Sequence, residues 1–417
     1  MRSIKTTKGV QRRQRSAPSA PPRGASAGGR AREEAIVIGA GAAGLGVAGE
    51  LDRRGIKALL LERSRFVGGG WQGRYESLRL NTVPRFSSLP GMRIKQAGRW
   101  MPGIEFGRYL ERYARERSLR VQTGVEVRRL ERERGGWKVD TDAGAIDARS
   151  VVVATGYDLV PELPNWPGRD EFERALIHSA QYRRPEPYIG RDVLIVGAGN
   201  SGSEIARELA EAGAARVRIA VRTPVNLMPE TMFGLGATWF ARANENGPRA
   251  LVDAGSRLIQ RLAFGDLSRY GMGRAPLGVA TELRERGKGP VLDRGFVAAL
   301  KRGEITLVPT VEGFEGADVL LADGSRLRPD TVIAATGFSH GLEPLVGHLD
   351  VLDERGRPRE PRGQADPANP GLFFNGYWLP LSGQLPAMQR TGPRIARAIT
   401  SRSRAAADRG QSGGSAA

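Results

Sequence analysis

Two glycine-rich turns in the chain have a spacing that lets the backbone approach phosphate groups closely. They are spaced G-x-G-x-x-G, at Gly39, Gly41 and Gly44 in the first turn and at Gly197, Gly199 and Gly202 in the second. In such a turn the first glycine allows a tight bend, the second admits a pyrophosphate, and the third lets helix and strand pack. The following helix adds free N–H groups and the positive end of its dipole. The sequence therefore predicts two dinucleotide sites.

The residues downstream of the two turns differ, and the difference predicts which dinucleotide each turn binds. Glu62 lies 18 residues after Gly44, where a carboxylate accepts hydrogen bonds from ribose hydroxyls. Arg222 and Thr223 stand in the corresponding place of the second unit, and an arginine there can bind a 2′-phosphate. We therefore expect FAD at the first turn and NADPH at the second, where Asn200 and Ser201 open the helix. The alternative for Arg222 is an ordinary surface arginine.

Repeated β-α-β units must hold these turns in place. The pattern of β-branched runs and helical stretches predicts six elements: strand Ala35–Gly39, helix Ala42–Arg54, strand Lys57–Glu62, strand Asp192–Gly197, helix Ser201–Ala212 and strand Arg216–Arg222. A second pair of similar runs, V-V-V-A-T-G at 151–156 and V-I-A-A-T-G at 332–337, predicts two more strands that end in small-residue turns. Parallel doubly wound sheets follow, hence an α/β fold with two Rossmann-like dinucleotide-binding domains.

Composition narrows the chemistry further. The 417-residue chain has no cysteine and three scattered histidines, which excludes disulfide scaffolds, thiol nucleophiles and cysteine-ligated metals, and we expect no metal site. Nine of the Lys and Arg residues, and no acid, fall within residues 1–32 of a chain whose net charge is +19. That segment is predicted to be a disordered basic tail. It has no aromatic residue to stack on bases, so no specific nucleic-acid partner is expected. The apolar runs are too short to span a bilayer.

A stretch just before the second turn carries a family resemblance. Phe172, His178, Ser179 and Tyr182 fit the pattern F-x-G-x-x-x-H-x-x-x-[F/Y/W], and Arg174 stands where a glycine is expected. Together with segments spread over residues 34–400, this stretch resembles the flavin-containing monooxygenase family, in its YUCCA-like branch. On the position of the motif, His178 is expected to link the domains structurally rather than to act as a general base.

The resemblance also implies site residues. Asn81 falls where the family has an asparagine that contacts flavin, NADP⁺ or substrate, and is therefore the candidate catalytic residue; the alternative is a turn asparagine before Pro84. Trp71 either contacts the flavin or packs in the core. The other cofactor-binding positions that we expect are Thr155, Gly156, Thr336, Gly337, Gly376, Gln384 and Leu385.

The chemistry that the resemblance implies needs few ionisable side chains. NADPH reduces the flavin, O₂ forms a 4a-hydroperoxyflavin, and one oxygen atom passes to a small organic substrate by N- or S-oxygenation or by oxidation of a carbonyl or 2-oxo acid. An FAD- and NADPH-dependent reductase or oxidase that does not oxygenate substrate is the alternative. The expected partners are the small substrate and O₂, a homodimer is left open, and the expected compartment is the cytoplasm.

The order of the motifs predicts an NADPH domain inserted into the FAD domain. The expected boundaries are 1–33 for the basic tail, 34–160 and 335–400 for the two parts of the FAD domain, 161–334 for the NADPH domain, and 401–417 for a second disordered tail. Residues 230–290, with Phe233, Trp239, Phe240 and Phe264, either cover the cleft between the domains or belong to the core.

Overall fold

The computed structural model of the chain describes residues 32–95 and 100–412. Most of the predicted basic tail therefore lies outside the described residues. Glu33, the last residue assigned to that tail, belongs to the fold, because it forms a β-bridge with Ala148 and an ion pair of 2.8 Å with Arg120.

The helices and strands follow one another in the order expected of two nucleotide-binding units. The strands are β1 (Ile36–Ile38), β2 (Leu59–Glu62), β3 (Arg120–Thr123), β4 (Val127–Glu133), β5 (Gly136–Thr141), β6 (Gly144–Ala148), β7 (Val151–Val153), β8 (Val160–Pro161), β9 (Ala175–His178), β10 (Asp192–Val196), β11 (Arg216–Ala220), β12 (Leu227–Pro229), β13 (Thr231–Met232), β14 (Leu235–Gly236), β15 (Val291–Asp293), β16 (Ile305–Val308), β17 (Val311–Glu315), β18 (Asp318–Leu321), β19 (Arg326–Leu327), β20 (Thr331–Ala334), β21 (Phe338–Ser339) and β22 (Leu372–Phe374). The α-helices are α1 (Ala42–Asp52), α2 (Gly69–Gln72), α3 (Pro84–Ser87), α4 (Gly103–Glu116), α5 (Asn200–Ala212), α6 (Ala237–Ala243), α7 (Arg249–Phe264), α8 (Val279–Arg286), α9 (Phe296–Lys301), α10 (Glu343–Val346) and α11 (Gln384–Ser412).

The first parallel sheet carries the first glycine turn. Its strand order is β22-β7-β1-β2-β3, and all its neighbours pair in parallel. Side chains alternate between the two faces of β1, so Val37 packs against α1, α4 and α11 while Ile36 and Ile38 pack on the other face. Both faces are covered, which explains why its central strands are continuous apolar runs.

The second parallel sheet repeats this arrangement around the second glycine turn. Its order is β16-β11-β10-β20-β9, again parallel throughout. Val193 and Ile195 of β10 pack on one face, and Leu194 and Val196 pack on the other. The predicted α/β class with two Rossmann-type units is confirmed.

The internal repeat extends further than the sequence pattern indicated. In the first unit a three-stranded antiparallel sheet, β4-β5-β6, separates β3 from β7; in the second, β17-β18-β19 separates β16 from β20. Strands β7 and β20 then return beside the central strands β1 and β10 and end in the two A-T-G turns. The segments that leave these turns pair with each other as the short antiparallel strands β8 and β21.

The C-terminal segment differs from the sequence-based expectation. Residues 401–412, assigned to a disordered tail, continue helix α11, and residues 413–417 lie outside the described residues. The segment is rich in alanine and arginine, which favour helix, and it extends a helix already anchored by the buried Ile395 and Ile399. The Ser403 hydroxyl also donates a 2.6 Å hydrogen bond to the Glu34 carboxylate.

Within residues 32–95 and 100–412, none of the helices combines the length and the apolar character needed to cross a bilayer.

Candidate active site

The first glycine turn has the shape of a dinucleotide cradle. Gly39 has φ +102°, and a Cβ built there would lie 2.5 Å from the carbonyl oxygen of Ala154. A Cβ at Gly44 would lie 1.9 Å from the carbonyl oxygen of Gly39, whereas one at Gly41 would have no atom within 4 Å. Gly39 and Gly44 therefore let strand and helix meet. Gly41 presents open backbone at the N-terminus of α1, where a pyrophosphate can approach.

Glu62 is held in a fixed orientation beside this turn. Its Oε2 accepts a 2.8 Å hydrogen bond from the Ala40 N–H, and its Oε1 accepts one of 2.8 Å from the Ser64 N–H. Each carboxylate oxygen has a further lone pair, so the group can still accept ribose hydroxyls.

The first A-T-G turn lies against the first glycine turn. The Thr155 hydroxyl is 2.7 Å from the Tyr377 hydroxyl, and burial raises the pKa of Tyr377 to about 12, so that hydroxyl stays protonated. A Cβ built at Gly376 would lie 3.1 Å from the Cβ of Ala43 in α1, and Gly156 has φ +104° with open space around it. Thr155, Gly156 and Gly376 thus converge on the N-terminus of α1, although the sequence separates them widely.

Gln384 and Leu385 bring the start of α11 to the same place. The Gln384 side chain donates a 3.4 Å hydrogen bond to the Gly376 carbonyl, and Leu385 is buried in the core. Trp71 packs edge-on against Phe106, with 4.9 Å between ring centroids. That contact supports the core-packing interpretation of Trp71.

The second glycine turn reproduces the first. Gly197 has φ +107°, and its Cβ would lie 2.6 Å from the Ala335 carbonyl oxygen. The Cβ of Gly202 would be 1.9 Å from the Gly197 carbonyl oxygen, and Gly199 is again open to space. Ala335 belongs to the second A-T-G turn, so Thr336 and Gly337 lie beside this glycine turn.

Asn200 and Thr336 are engaged by the chain itself. Asn200 Oδ1 accepts a 3.1 Å hydrogen bond from the Leu292 N–H, and its Nδ2 donates one of 3.4 Å to the Pro290 carbonyl. The Thr336 hydroxyl donates to the Glu162 carbonyl. These two side chains therefore hold neighbouring segments in position around the second turn.

Arg222 is placed to meet a ligand. It lies two residues beyond β11 and is exposed, and no hydrogen bond or ion pair of its side chain to the described residues is found. Thr223 follows it and is half-buried. An exposed guanidinium at this edge of the sheet, unpaired among residues 32–95 and 100–412, is available for an anionic group.

Asn81 lies on a loop that is tied to the other sheet's unit. Its side chain is exposed, and its Oδ1 accepts a 3.1 Å hydrogen bond from Arg294 Nη2. Its backbone carbonyl accepts a 3.2 Å bond from the Thr238 hydroxyl, and the preceding Leu80 carbonyl accepts one of 2.9 Å from Arg294. These bonds fix the direction in which the Asn81 amide points.

Arg294 is the residue at this site that sequence reasoning missed. Its side chain is only 9% exposed and pairs with Glu204 at 2.8 Å and Glu230 at 2.6 Å. Glu204 also accepts a 2.6 Å hydrogen bond from the buried Tyr75 hydroxyl, and burial raises the pKa of both groups. The only sequence signal was its place directly after Pro290–Asp293, one of the segments within residues 34–400 that carry the family resemblance. Nothing in an arginine-rich chain marked it as buried.

A polar cavity of about 600 Å³ opens beside Arg294. Its wall combines residues of the Asn81 loop region, of α5 and of the segments around β12 and β15. It is lined by Ser77, Arg79, Trp100, Glu204, Arg207, Pro229, Glu230, Thr231, Asp293 and Arg294. Asn81 is not part of that lining, but Arg294 contacts both the cavity and the Asn81 side chain.

His178 connects two strands and carries no free ring nitrogen for proton transfer. Nδ1 accepts a 3.1 Å hydrogen bond from the Ala180 N–H, and Nε2 lies 3.0 Å from the Gly337 carbonyl. Burial lowers the pKa of His178, which favours the neutral ring with the proton on Nε2. This geometry supports the expected structural role. Arg174 has no left-handed backbone angle, so the glycine of the motif is not required there.

Known proteins resemble this chain in both sequence and fold. The family described as pyridine nucleotide-disulphide oxidoreductase matches residues 36–231. Indole-3-pyruvate monooxygenase YUCCA1 of Oryza sativa subsp. japonica is 34% identical over 350 residues, which cover 82% of this chain and 86% of that protein. The chain belongs to the YUCCA-like flavin monooxygenases.

Solved structures agree on the fold. A flavin-containing monooxygenase from Stenotrophomonas maltophilia superposes with a TM-score of 0.65 at 24% identity, covering 88% of this chain and 98% of that one. An ε-caprolactone-bound cyclohexanone monooxygenase superposes with a TM-score of 0.73 at 20% identity, covering 89% and 88%.

The YUCCA-like chain is therefore an FAD- and NADPH-dependent monooxygenase, and the alternative of a reductase is wrong. Two nucleotide cradles of the same shape fit two dinucleotides, as this activity requires. The absence of cysteine removes the dithiol chemistry that the name of the matched family mentions.

The two open glycines give a paired prediction. Gly41→Ala should lower flavin content, and Gly199→Ala should raise the KM for NADPH, each by about tenfold or more, because a methyl group would stand where a pyrophosphate approaches. Flavin absorbance per chain and steady-state kinetics measure the two effects. Gly255→Ala, also in open space but on α7, is the control and should change neither. The reverse pattern of losses would mean that the dinucleotides are assigned to the wrong turns.

Arg294→Met should destabilise this monooxygenase by about 3–5 kcal/mol at neutral pH, because two carboxylates lose their buried partner. Without the Arg294 charge, burial raises the pKa of the Glu204 carboxyl further in the folded state. The loss should therefore shrink as pH falls through that pKa, since the protonated Glu204 carries no unpaired charge. Denaturant unfolding at several pH values measures it. Arg302→Met removes an exposed pair with Glu304 and should cost less than about 1 kcal/mol; equal losses in the two variants would contradict the interpretation.

Proposed function

We propose that the first glycine turn binds FAD, with Glu62 on the ribose and with Thr155, Gly156, Gly376, Gln384 and Leu385 around it. Convergence of these positions on the N-terminus of α1 supports the proposal. Trp71 belongs to the supporting core in this scheme. When bound, the flavin supplies the redox chemistry, and the chain supplies position and exclusion of water.

We further propose that the second glycine turn binds NADPH. Asn200, Ser201 and the Thr336–Gly337 turn shape that cradle, and Arg222 with Thr223 receives the 2′-phosphate. The proposed boundaries are 34–160 and 335–400 for the FAD domain and 161–334 for the NADPH domain. Supporting this division, the second sheet takes all its strands from residues 175–334. The homodimer and the cytoplasmic location stay predictions.

The substrate that we propose is a 2-oxo acid with an aromatic side chain. The observation that carries the proposal is the 34% identity, over most of both chains, to a protein named as an indole-3-pyruvate monooxygenase. The cavity next to the residue that orients Asn81 has Trp100 in its wall, and its three arginines are balanced by Glu204, Glu230 and Asp293. Its charge therefore does not select an anion, and the proposed substrate class depends on the similarity to the named relative. In this scheme the Asn81 amide hydrogen-bonds the reacting groups, held by Arg294.

The proposed reaction is an oxidative decarboxylation. The 2-oxo acid, O₂, NADPH and one proton give the acid shortened by one carbon, CO₂, NADP⁺ and water. One oxygen atom enters the substrate at its keto carbon as the bond from that carbon to the carboxylate breaks. The other oxygen atom is reduced to water with the two electrons of NADPH.

Incubation with indole-3-pyruvate, NADPH and isotopically labelled O₂ tests the substrate. We expect one labelled oxygen in the shortened acid and one CO₂ released per NADPH consumed, measured by mass spectrometry. NADPH loss alone is not the readout, because uncoupled turnover also consumes it. Parallel incubations use an aromatic amine and a sulfide. Labelled product from either of these, with none from the 2-oxo acid, would overturn the proposed substrate class.

Arg222→Gln tests the NADPH assignment. Loss of a charge-assisted contact to the 2′-phosphate should raise the KM for NADPH about ten- to one-hundredfold and leave that for NADH unchanged. Arg191→Gln is the matched control and should change neither value. Arg191 is also exposed, but it precedes β10 and so lies at the amino edge of the sheet, whereas Arg222 lies at the carboxyl edge. If both nucleotides lose affinity equally in Arg222→Gln, the arginine does not read the 2′-phosphate.

A further inference from the structure

Helix α7 exposes a row of leucines that the monooxygenase reaction does not use. Leu251, Leu258 and Leu262 are 69%, 58% and 77% exposed. At 100° per residue these three side chains lie within about 40° of one another around the helix. The row is therefore one continuous apolar strip along a 16-residue helix, not a set of scattered surface leucines.

The opposite side of α7 is firmly held by the protein. Asp253 is buried and accepts hydrogen bonds of 2.7 and 3.3 Å from the Ala280 and Thr281 N–H groups, at the start of α8. Gln260 accepts a 3.1 Å bond from the Leu227 N–H, and Phe264 is buried. Phe264, which the sequence left between cleft cover and core, thus belongs to the core. A helix fixed in this way presents its leucines as a preformed surface.

The charges beside the strip are positive. Arg261 and Arg257 are exposed on one side of the helix, about 80° and 120° around it from the middle of the leucine row, so Arg261 is the nearer of the two to the leucines. The helix has a single acid, Asp253, and it faces inward. Asp266, beyond the end of the helix, lies near Arg261 and Arg269 and so offsets only part of that charge. Exposed leucines with arginines to one side match a surface that has an apolar interior and an anionic outer layer.

Two other occupants fit less well. Residues 1–32 carry nine basic residues and no acid, so the chain's own N-terminal segment would be repelled by the arginines. A second copy docked through the same strip would bring the two arginine rows towards each other. An anionic lipid surface has neither conflict.

We propose that α7 is an interfacial helix that docks the enzyme on anionic membrane surfaces, with Leu251, Leu258 and Leu262 inserted at the level of the headgroups. Arg257 and Arg261 then pair with lipid phosphates, and the enzyme lies on the bilayer without spanning it. The proposal is independent of which substrate the site oxygenates.

Vesicle flotation of the flavin-loaded full chain tests the proposal. Wild type should bind vesicles of phosphatidylcholine containing about one-third phosphatidylglycerol, should bind pure phosphatidylcholine weakly, and should dissociate as salt rises. Leu251→Ser/Leu258→Ser/Leu262→Ser should lower the partition coefficient at least about tenfold. Arg257→Gln/Arg261→Gln should lower it on anionic vesicles only.

Matched variants control for exposure and charge. Ile104→Ser/Leu163→Ser/Ile189→Ser changes three exposed apolar residues elsewhere, and Arg128→Gln/Arg134→Gln changes two exposed arginines elsewhere. Both should bind anionic vesicles as wild type does. NADPH oxidation at wild-type rate in all variants verifies folding.

Three results would overturn the proposal. The first is a failure of wild type to float with anionic vesicles. The leucine variant could float as well as wild type, which would transfer the binding to the basic N-terminal segment. Or light scattering could give a wild-type dimer that the leucine substitutions dissociate, with no vesicle binding, which would identify a second copy as the occupant.

Discussion

The contact between the third glycine of each turn and the carbonyl oxygen of the first determines the geometry of the whole site. A Cβ at Gly44 or Gly202 would stand 1.9 Å from that oxygen, so only glycine lets the helix approach the strand so closely. This approach sets the N-termini of α1 and α5 above the carboxyl edges of their sheets, where parallel α/β folds bind ligands. The A-T-G turns lie against the same edges because β7 and β20 pair directly with β1 and β10.

The two halves are joined by buried polar groups at the cleft. The Glu204 carboxylate of α5 accepts a hydrogen bond from the Tyr75 hydroxyl and pairs with the Arg294 guanidinium. Arg294 in turn donates a hydrogen bond to the Asn81 side-chain oxygen. The Tyr75 hydroxyl, the Glu204 carboxylate and the Arg294 guanidinium are each costly to bury alone and acceptable only when their partners are present. The position of the Asn81 loop relative to α5 therefore depends on one cation with several acceptors. In the proposed function, the cradles bind the cofactors and this network orients the Asn81 amide.

The positive charge of the protein is distributed unevenly along the chain. The net charge of +19 divides between an N-terminal segment that is almost half of it and a folded part rich in arginine. Many arginines of the folded part belong to ion pairs, such as Arg120 with Glu33. Arg222 at the nucleotide edge and Arg257 and Arg261 beside exposed leucines stand apart from these pairs. Their surroundings, not their number, suggest anionic ligands.

The sequence by itself determined the local chemistry: two glycine turns, a terminal acid in one unit, an arginine in the other, and no thiol. It also predicted the α/β class, because buried parallel strands are continuous apolar runs and the turns have a fixed spacing. Only the tertiary structure decided that Thr336 and Gly337 lie at the second cradle, that Trp71 packs on Phe106, and that residues 401–412 extend α11. It alone revealed Arg294, since burial and pairing of an arginine depend on residues more than 200 positions away in the chain, such as Asn81. Local spacing sets which contacts a backbone can make, whereas long-range packing sets which side chains meet.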